Sequence, residues 1–434
     1  MVRFVILRAL SLLLAVNTVS SSPLADEHFS PWGNSPSNGL VWPSVLDDQI
    51  HGESWPEFAN KTERRPSYRA PTFEELKFMS SKNMSWLARS GGHGFSPTLQ
   101  STQDAVLVNL ENVSQVQFQS DSTVVVGTGV YFGDLINAVG AAGRELTVGT
   151  CHCVGATGAI LDGGLDCLQG LYGLTSDALH MIFAKSSIEK VVEITNNLLV
   201  PALDEKLSLM SLLTLNATTS ELYMAVNIVY SGPEEGQKYT QLLSPYSLGL
   251  QEHMLKWEEL PTKTLFGYVP LFCTSGPRYN LYTTNVRTLD SPIWVEFSNE
   301  SEKFMQQHPT VNASLIIETY PVQGIEALSE DYSAFPHRRY FHNVIEVIGL
   351  YTDDSVAKSV DDFLRFWRDK FAATSRYDEL HVYQNYAHYD EPLSALYGNQ
   401  HWRHERLTKL KNDYDPHGFF NRYHAVPFDV EKWT

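Results

Sequence analysis

The chain alternates between two hydrophobic periods, and the alternation sets out its elements. Short apolar runs bounded by Gly and Asn, such as "DAVLVNL" (104–110) and "STVVVGTGV" (122–130), have strand chemistry. "YFGDLINAVGAAGREL" (131–146) returns to helical spacing, and "SSIEKVVEITNNLL" (186–199) is amphipathic at the same period. "ELYMAVNIVY" (221–230) reads as a strand and "SGPEEGQKYTQLLSPY" (231–246) as a turn followed by a helix. "YFHNVIEVIGLY" (340–351) alternates as a strand does, and "DDSVAKSVDDFLRFWRDKF" (353–371) is a strongly amphipathic helix. "PTFEELKFMSSKN" (71–83) predicts a capped helix, with Thr72 at the N-cap and Glu75 three positions on. The sum is an α+β protein of two lobes, the second a sheet covered by helices.

At 434 residues, with 43% hydrophobic and 12% aromatic positions, the chain can fill two packed cores. Its net charge of −18 and the absence of any Lys/Arg-rich run exclude a nucleic-acid surface, which needs the opposite sign. "MVRFVILR" followed by "ALSLLLAVNTV" and Ser20–Ser22 has the plan of a secretory signal over residues 1–22. No later run is long and apolar enough to predict a membrane anchor. N-x-S/T sequons at Asn60, Asn83, Asn112, Asn216, Asn299 and Asn312 agree with secretion or an endomembrane lumen. The four cysteines, Cys151, Cys153, Cys167 and Cys273, permit disulfides in that compartment, with three pairings open. Cys151-His152-Cys153 lacks the second ligand pair that a zinc site requires, so no metal is expected.

Two glycine-rich turns carry the candidate chemistry. "ARSGGHGFS" (88–96) ends a strand with consecutive N–H groups able to form an anion nest, and "GTCHCVGATGAILDGG" (149–164) also lets a ligand approach the backbone. Neither is a G-x-G-x-x-G fingerprint after a strand, which argues against a Rossmann site. Together with "YGLTSD" (172–177), "AFPHR" (334–338), "YQNY" (383–386) and "YGN…RL-x-x-LK-x-x-YDP-x-x-xF" (397–419), these turns resemble the berberine bridge enzyme-like branch of the vanillyl-alcohol oxidase flavoproteins. The resemblance runs in family order across most of residues 65–425. It implies a PCMH-type FAD-binding domain, with His93 and Cys151 at the positions that tether FAD covalently, and Gly91, Gly92 and Gly155 in the cofactor turns. It also implies an aromatic substrate chamber, with Tyr383, Asn385 and Tyr386 at its floor.

The resemblance divides the chain into the signal (1–22), an extended lead-in (23–64), the FAD-binding-like domain (65–185), a substrate domain with an antiparallel sheet covered by helices (186–375), and a C-terminal segment (376–434) returning to the first domain. The chain then departs from the family. After "YGLTSD" the family continues through strands carrying W-A-L-R-G-G-G and N-F-G-I-V-T, and neither is present. Asp162 stands where the family has a glycine near the diphosphate, and a carboxylate there is electrostatically unfavourable. These departures lead us to expect an incomplete flavin domain, no cofactor, and a redox-neutral cyclase. Its chemistry would be a hetero-Diels–Alder-type cycloaddition of a small hydrophobic or aromatic metabolite, held at reacting distance in the chamber. The chain is also similar to the fungal hetero-Diels–Alderases of tropolone sesquiterpenoids. The alternatives are an FAD-dependent oxidase in a trimmed pocket, a coding sequence that lost an exon, and a secreted carrier of hydrophobic metabolites. Tyr383 and Asn385 are the expected oxyanion donors. His342, with Tyr340 and Glu346 on one face of the strand 340–350, is expected to point into the chamber. Arg338 and Arg422 are cationic candidates that also suit structural ion pairs.

Overall fold

The computed structural model describes residues 72–73 and 86–433, apart from 102–105, 121–122, 150, 167–168, 170–175, 217–218, 220, 233–235, 265–272 and 274–276. The signal, the lead-in and the sequons at Asn60 and Asn83 lie outside the described residues.

The first lobe opens with strands β1 (Thr72–Phe73), β2 (Trp86–Arg89) and β3 (Val106–Asn109), a parallel sheet in the order β1-β3-β2. Thr72 is therefore a strand residue paired with Val106, not a helix cap; the backbone partner on β3 outweighs the local capping signal. The remainder of the expected helix lies outside the described residues. A hairpin of β4 (Val116–Phe118) and β5 (Val124–Val126) leads into helix α1 (Phe132–Ala141). The apolar stripe of α1, Phe132, Leu135, Ile136 and Val139, is buried against Val124, Val130 and Val148. The short helix α2 (Ala156–Leu161) starts within the second glycine run.

The second lobe is a seven-stranded sheet, with every neighbouring pair antiparallel. Its strands are β6 (Ser176–Ala184), β7 (Leu207–Leu215), β8 (Leu222–Tyr230), β9 (Ser247–Leu255), β10 (Arg278–Val286), β11 (Val311–Thr319) and β12 (Asn343–Tyr351), in the order β10-β12-β11-β7-β8-β6-β9. β6 precedes the domain boundary drawn from sequence, yet it pairs along its length with β8 and β9. Helices α3 (Ile188–Leu198), α4 (Ser291–Gln307) and α5 (Ala357–Ala373) bury their apolar stripes on one face. Asp290 caps α4 by accepting from the Ile293 N–H.

Strand parity then assigns every side chain. Ile345 and Val347 of β12, and Leu315 and Ile317 of β11, enter the helix-side core. Ile348 and Val344, with Ile316 and Tyr320, turn to the opposite face. That second face looks toward the glycine turns and the C-terminal segment, which includes helix α6 (His401–Tyr414).

Candidate active site

A cavity of about 500 Å³, within the ~300–1,000 Å³ typical of small-molecule sites, lies between the two lobes. One wall is the pair of glycine turns, including Gly91, Gly92, His93, Cys151, Gly155 and Asp162. The opposite wall is the free face of the sheet, with Met210, Tyr279, Ile316, Glu318 and Glu346. The C-terminal segment closes the third side with Tyr383, Asn385, Tyr386, Phe419, Phe420, Arg422 and Tyr423.

The turns meet because they are glycine. A Cβ on Gly91 would lie 2.3 Å from the Gly155 nitrogen, so no other residue allows this approach. Gly92 adopts a φ of +71°, a conformation other residues rarely take. Cys153 is disulfide-bonded to Cys273, which ties the second turn to a segment 120 residues away. Cys151 remains a free thiol at the cavity wall. Burial, then the neighbouring Glu318 and Glu346, push that thiol up to about 12. His93 packs edge-on to Phe95, whose ring contacts both Tyr279 and Tyr386.

Most of the residues singled out from sequence converge here. The Tyr383 hydroxyl accepts from the Gly164 N–H (3.0 Å) and from Asn385 Nδ2 (2.6 Å). With both acceptor positions in use, its own O–H is left to donate. Asn385 also donates to the Ala159 carbonyl at 3.1 Å, so its amide clamps the tyrosine to the glycine wall. The Tyr386 hydroxyl lies 3.4 Å from Glu318 Oε1, which also accepts from Tyr320 at 3.1 Å.

His342 is not in the cavity wall. β12 begins at Asn343, so the alternation that placed His342 beside Glu346 stops one residue short. Its Nδ1 lies 3.4 Å from the Tyr377 hydroxyl, and burial lowers its basicity. Tyr340 likewise lies before the strand, stacked on His381. Arg338 donates to the Ile325 carbonyl and to Ser333, a structural role, whereas Arg422 does line the cavity.

Sequence reasoning passed over Glu318. It is 4% exposed and Glu346 7% exposed, and both face the cavity from adjacent strands. Glu318 Oε2 has no hydrogen-bond partner. Burial raises the Glu318 carboxyl to about 7, against the opposing pull of Tyr320 and Tyr386. Glu346 is also raised well above the usual carboxylate range, by burial and then by Glu318. Asp162 is raised to about 7 by burial alone.

The glycine wall fits the ring end of a flavin. Gly158 opens onto unobstructed space, the backbones of Gly91 and Gly155 abut with no room for a side chain between them, and His93 and Cys151 line the same cavity. Asp162 is the one member of that wall whose charge opposes a diphosphate.

Comparisons with known proteins agree with this geometry. A family model described as "FAD binding domain" matches residues 72–184, and one described as "Berberine and berberine like" matches 382–427. The FAD-linked oxidoreductase srdI of Neurospora crassa is 26% identical over 450 residues, covering 87% of this chain and 89% of the relative. The FAD-linked oxidoreductase OXR1 of Pyricularia oryzae is 27% identical over 507 residues, covering 96% of this chain and 98% of the relative. That alignment is longer than the 434-residue chain, so about 90 positions of the relative have no counterpart here. Among solved structures, Physcomitrella patens BBE-like 1 superposes with a TM-score of 0.70 at 17% identity, covering 87% of this chain and 96% of that one. The xylooligosaccharide oxidase from Myceliophthora thermophila gives 0.69 at 15%, with the same coverage. With both family segments in order and the fold shared over 87% of the chain, the chain carries an FAD-binding-domain match followed by a berberine-like match, and is similar to the berberine bridge enzyme-like flavoproteins.

Proposed function

We propose that the chain is an FAD-linked oxidoreductase that dehydrogenates a small, neutral, largely aromatic secondary metabolite in this cavity. One observation carries the reading. The turns bearing His93 and Cys151 face a buried carboxylate with an unpartnered oxygen, Glu318, across a single aromatic-walled cavity. The fungal relatives, named FAD-linked oxidoreductases, support the same reading over the cyclase.

His93, Cys151 and the glycine turns would hold the flavin, which when bound supplies an acceptor for a hydride. The chain's own groups handle the proton. Glu318 Oε2 is the base, and its carboxyl at about 7 suits proton removal near neutral pH. Tyr386 and Tyr320 hold the other carboxylate oxygen, which fixes the direction in which Oε2 points. The Tyr383 O–H is available to donate to a substrate oxygen. Phe95, Tyr279, Phe419 and Phe420 supply apolar walls that exclude water.

The working compartment in this reading is the secretory pathway or beyond. The Cys153–Cys273 disulfide supports it, as do the exposed sequon asparagines Asn112, Asn216 and Asn299. A second reading, the redox-neutral cyclase, draws support from the roughly 90 positions without counterpart and from Asp162 in the cofactor wall.

The visible absorption spectrum of the purified protein separates the two. Flavin absorption that stays with the acid-precipitated pellet is the expected result, and Glu318→Gln should then slow flavin reduction by substrate by about 10²–10⁴-fold. A colourless protein that takes up no added FAD would overturn the oxidoreductase and leave the cyclase.

A further inference from the structure

Glu318 and Glu346 come together through strand register. In the β11–β12 ladder Glu318 pairs with Val344, and Glu346 pairs with Ile316. The two glutamates are thus diagonal neighbours on one face, a spacing at which long side chains interact. Both side chains are more than nine-tenths buried and both line the cavity. Among the described residues Glu346 forms no hydrogen bond or ion pair, and neither carboxylate has a cation within ion-pairing distance. The groups facing them are neutral or weakly acidic. They are Tyr279 on β10, Tyr320 after β11, Cys151 on the glycine turn, and Tyr386 in the C-terminal segment. Thr283 of β10 lies opposite Glu346 in the ladder. Arg89, His93, Asp162 and Arg422 line the same cavity, and none of them acts on the ionisation of either glutamate. Two carboxylates desolvated together with no counter-charge do not both ionise, because each negative charge raises the cost of the other.

We propose that Glu318 and Glu346 form one acid–base unit that carries a single proton between them, so that one carboxylate accepts a proton from the substrate while the other donates a hydrogen bond. This deepens the proposed function and rests on it for the identity of the step. A hydroxyl proton of the substrate moves to the ionised carboxylate, the substrate oxygen accepts from the protonated one, and the unit then holds two protons until solvent removes one. A substrate group carrying its own negative charge would be repelled at this wall, so the unit selects neutral hydroxyl compounds.

The test is an infrared pH titration of the carboxylic-acid carbonyl band, made on the purified full-length protein in an Asp162→Asn, Glu145→Gln background, since Glu145 is also raised to about 7. The parent should ionise in two separated steps and retain carboxylic-acid absorption through neutral pH. Glu318→Gln and Glu346→Gln should each leave one step, at a pH below the parent's upper step by about one pH unit or more. A surviving carboxyl that ionises at the same pH as in the parent would show two independent groups and overturn the unit. A parent with no acid band at neutral pH would do the same. Either single variant suffices if the other does not fold, and circular dichroism reports which one does. The titration needs no substrate and no flavin, so a colourless protein would end the oxidoreductase reading without deciding this one.

Discussion

Asp162 gives the sharpest quantitative handle on the cofactor wall. Its carboxyl moves from 3.8 to about 7 through burial alone, with no cation beside it among the described residues. A separation of about three pH units corresponds to about 4 kcal/mol at 1.36 kcal/mol each, and partial exposure of the side chain reduces this to about 2–4 kcal/mol. The sign follows from the protons bound. Between pH 4 and 7 the folded chain keeps a proton that the unfolded chain releases, so stability falls as pH rises through that window and is level above it. Asp162→Asn removes the loss. Urea unfolding, which adds no ionic screening, should show the variant equal to the parent at pH 4 and about 2–4 kcal/mol more stable at pH 8. The same substitution removes a negative charge facing a diphosphate, so FAD should bind the variant more tightly, with a larger gain at pH 8 than at pH 6. A stability gain identical at both pH values would refute the reasoning, because it would mean that packing rather than ionisation separates the two proteins.

Three further outcomes are expected. Tyr386→Phe removes a donor that favours the ionised Glu318, so the acid limb of the pH–rate profile should move to higher pH by up to about one pH unit; a profile that keeps its position would remove Tyr386 from the base. Cys273→Ser opens a covalent loop spanning 120 residues and should cost up to about 5 kcal/mol by chain entropy, with reductant bringing the parent to the variant's urea midpoint. Treatment of the secreted protein with an N-glycosidase should lower its mass, with Asn112, Asn216 and Asn299 on exposed positions as the expected carriers; an unchanged mass would argue against the secretory route.

The sequence shows the helices and most strands because their periodicity is local. The stripe of "VAKSVDDFLRFWRDKF" needs only its own spacing to predict α5, and the structure buries Val360, Leu364, Trp367 and Phe371 from it. The glycine turns and the Tyr383–Tyr386 segment were legible through the family resemblance, and they meet at one cavity. The pairing of Cys153 with Cys273 was not legible, since the partner lies 120 residues away and four cysteines allow three pairings. His342 was misplaced because the alternation in the letters starts before the strand does in space.

Glu318 shows most clearly where local reading stops. "VNASLIIET" alternates Val311, Ala313, Leu315 and Ile317 with Asn312, Ser314, Ile316 and Glu318, so its letters put Glu318 on the face away from the apolar core without telling whether that face meets solvent or a cavity, and a lone glutamate near the end resembles a solvated strand terminus. Pairing in the sheet decides the matter. With Glu318 opposite Val344, the side chain falls on the same face as Glu346 and joins Tyr320 and Tyr386. A slip of one residue along β11 would turn Glu318 into the core beneath α4 and α5, where a carboxylate has no partner. The burial of Leu315 and Ile317 against those helices therefore fixes the register, and the register places Glu318 in the cavity wall.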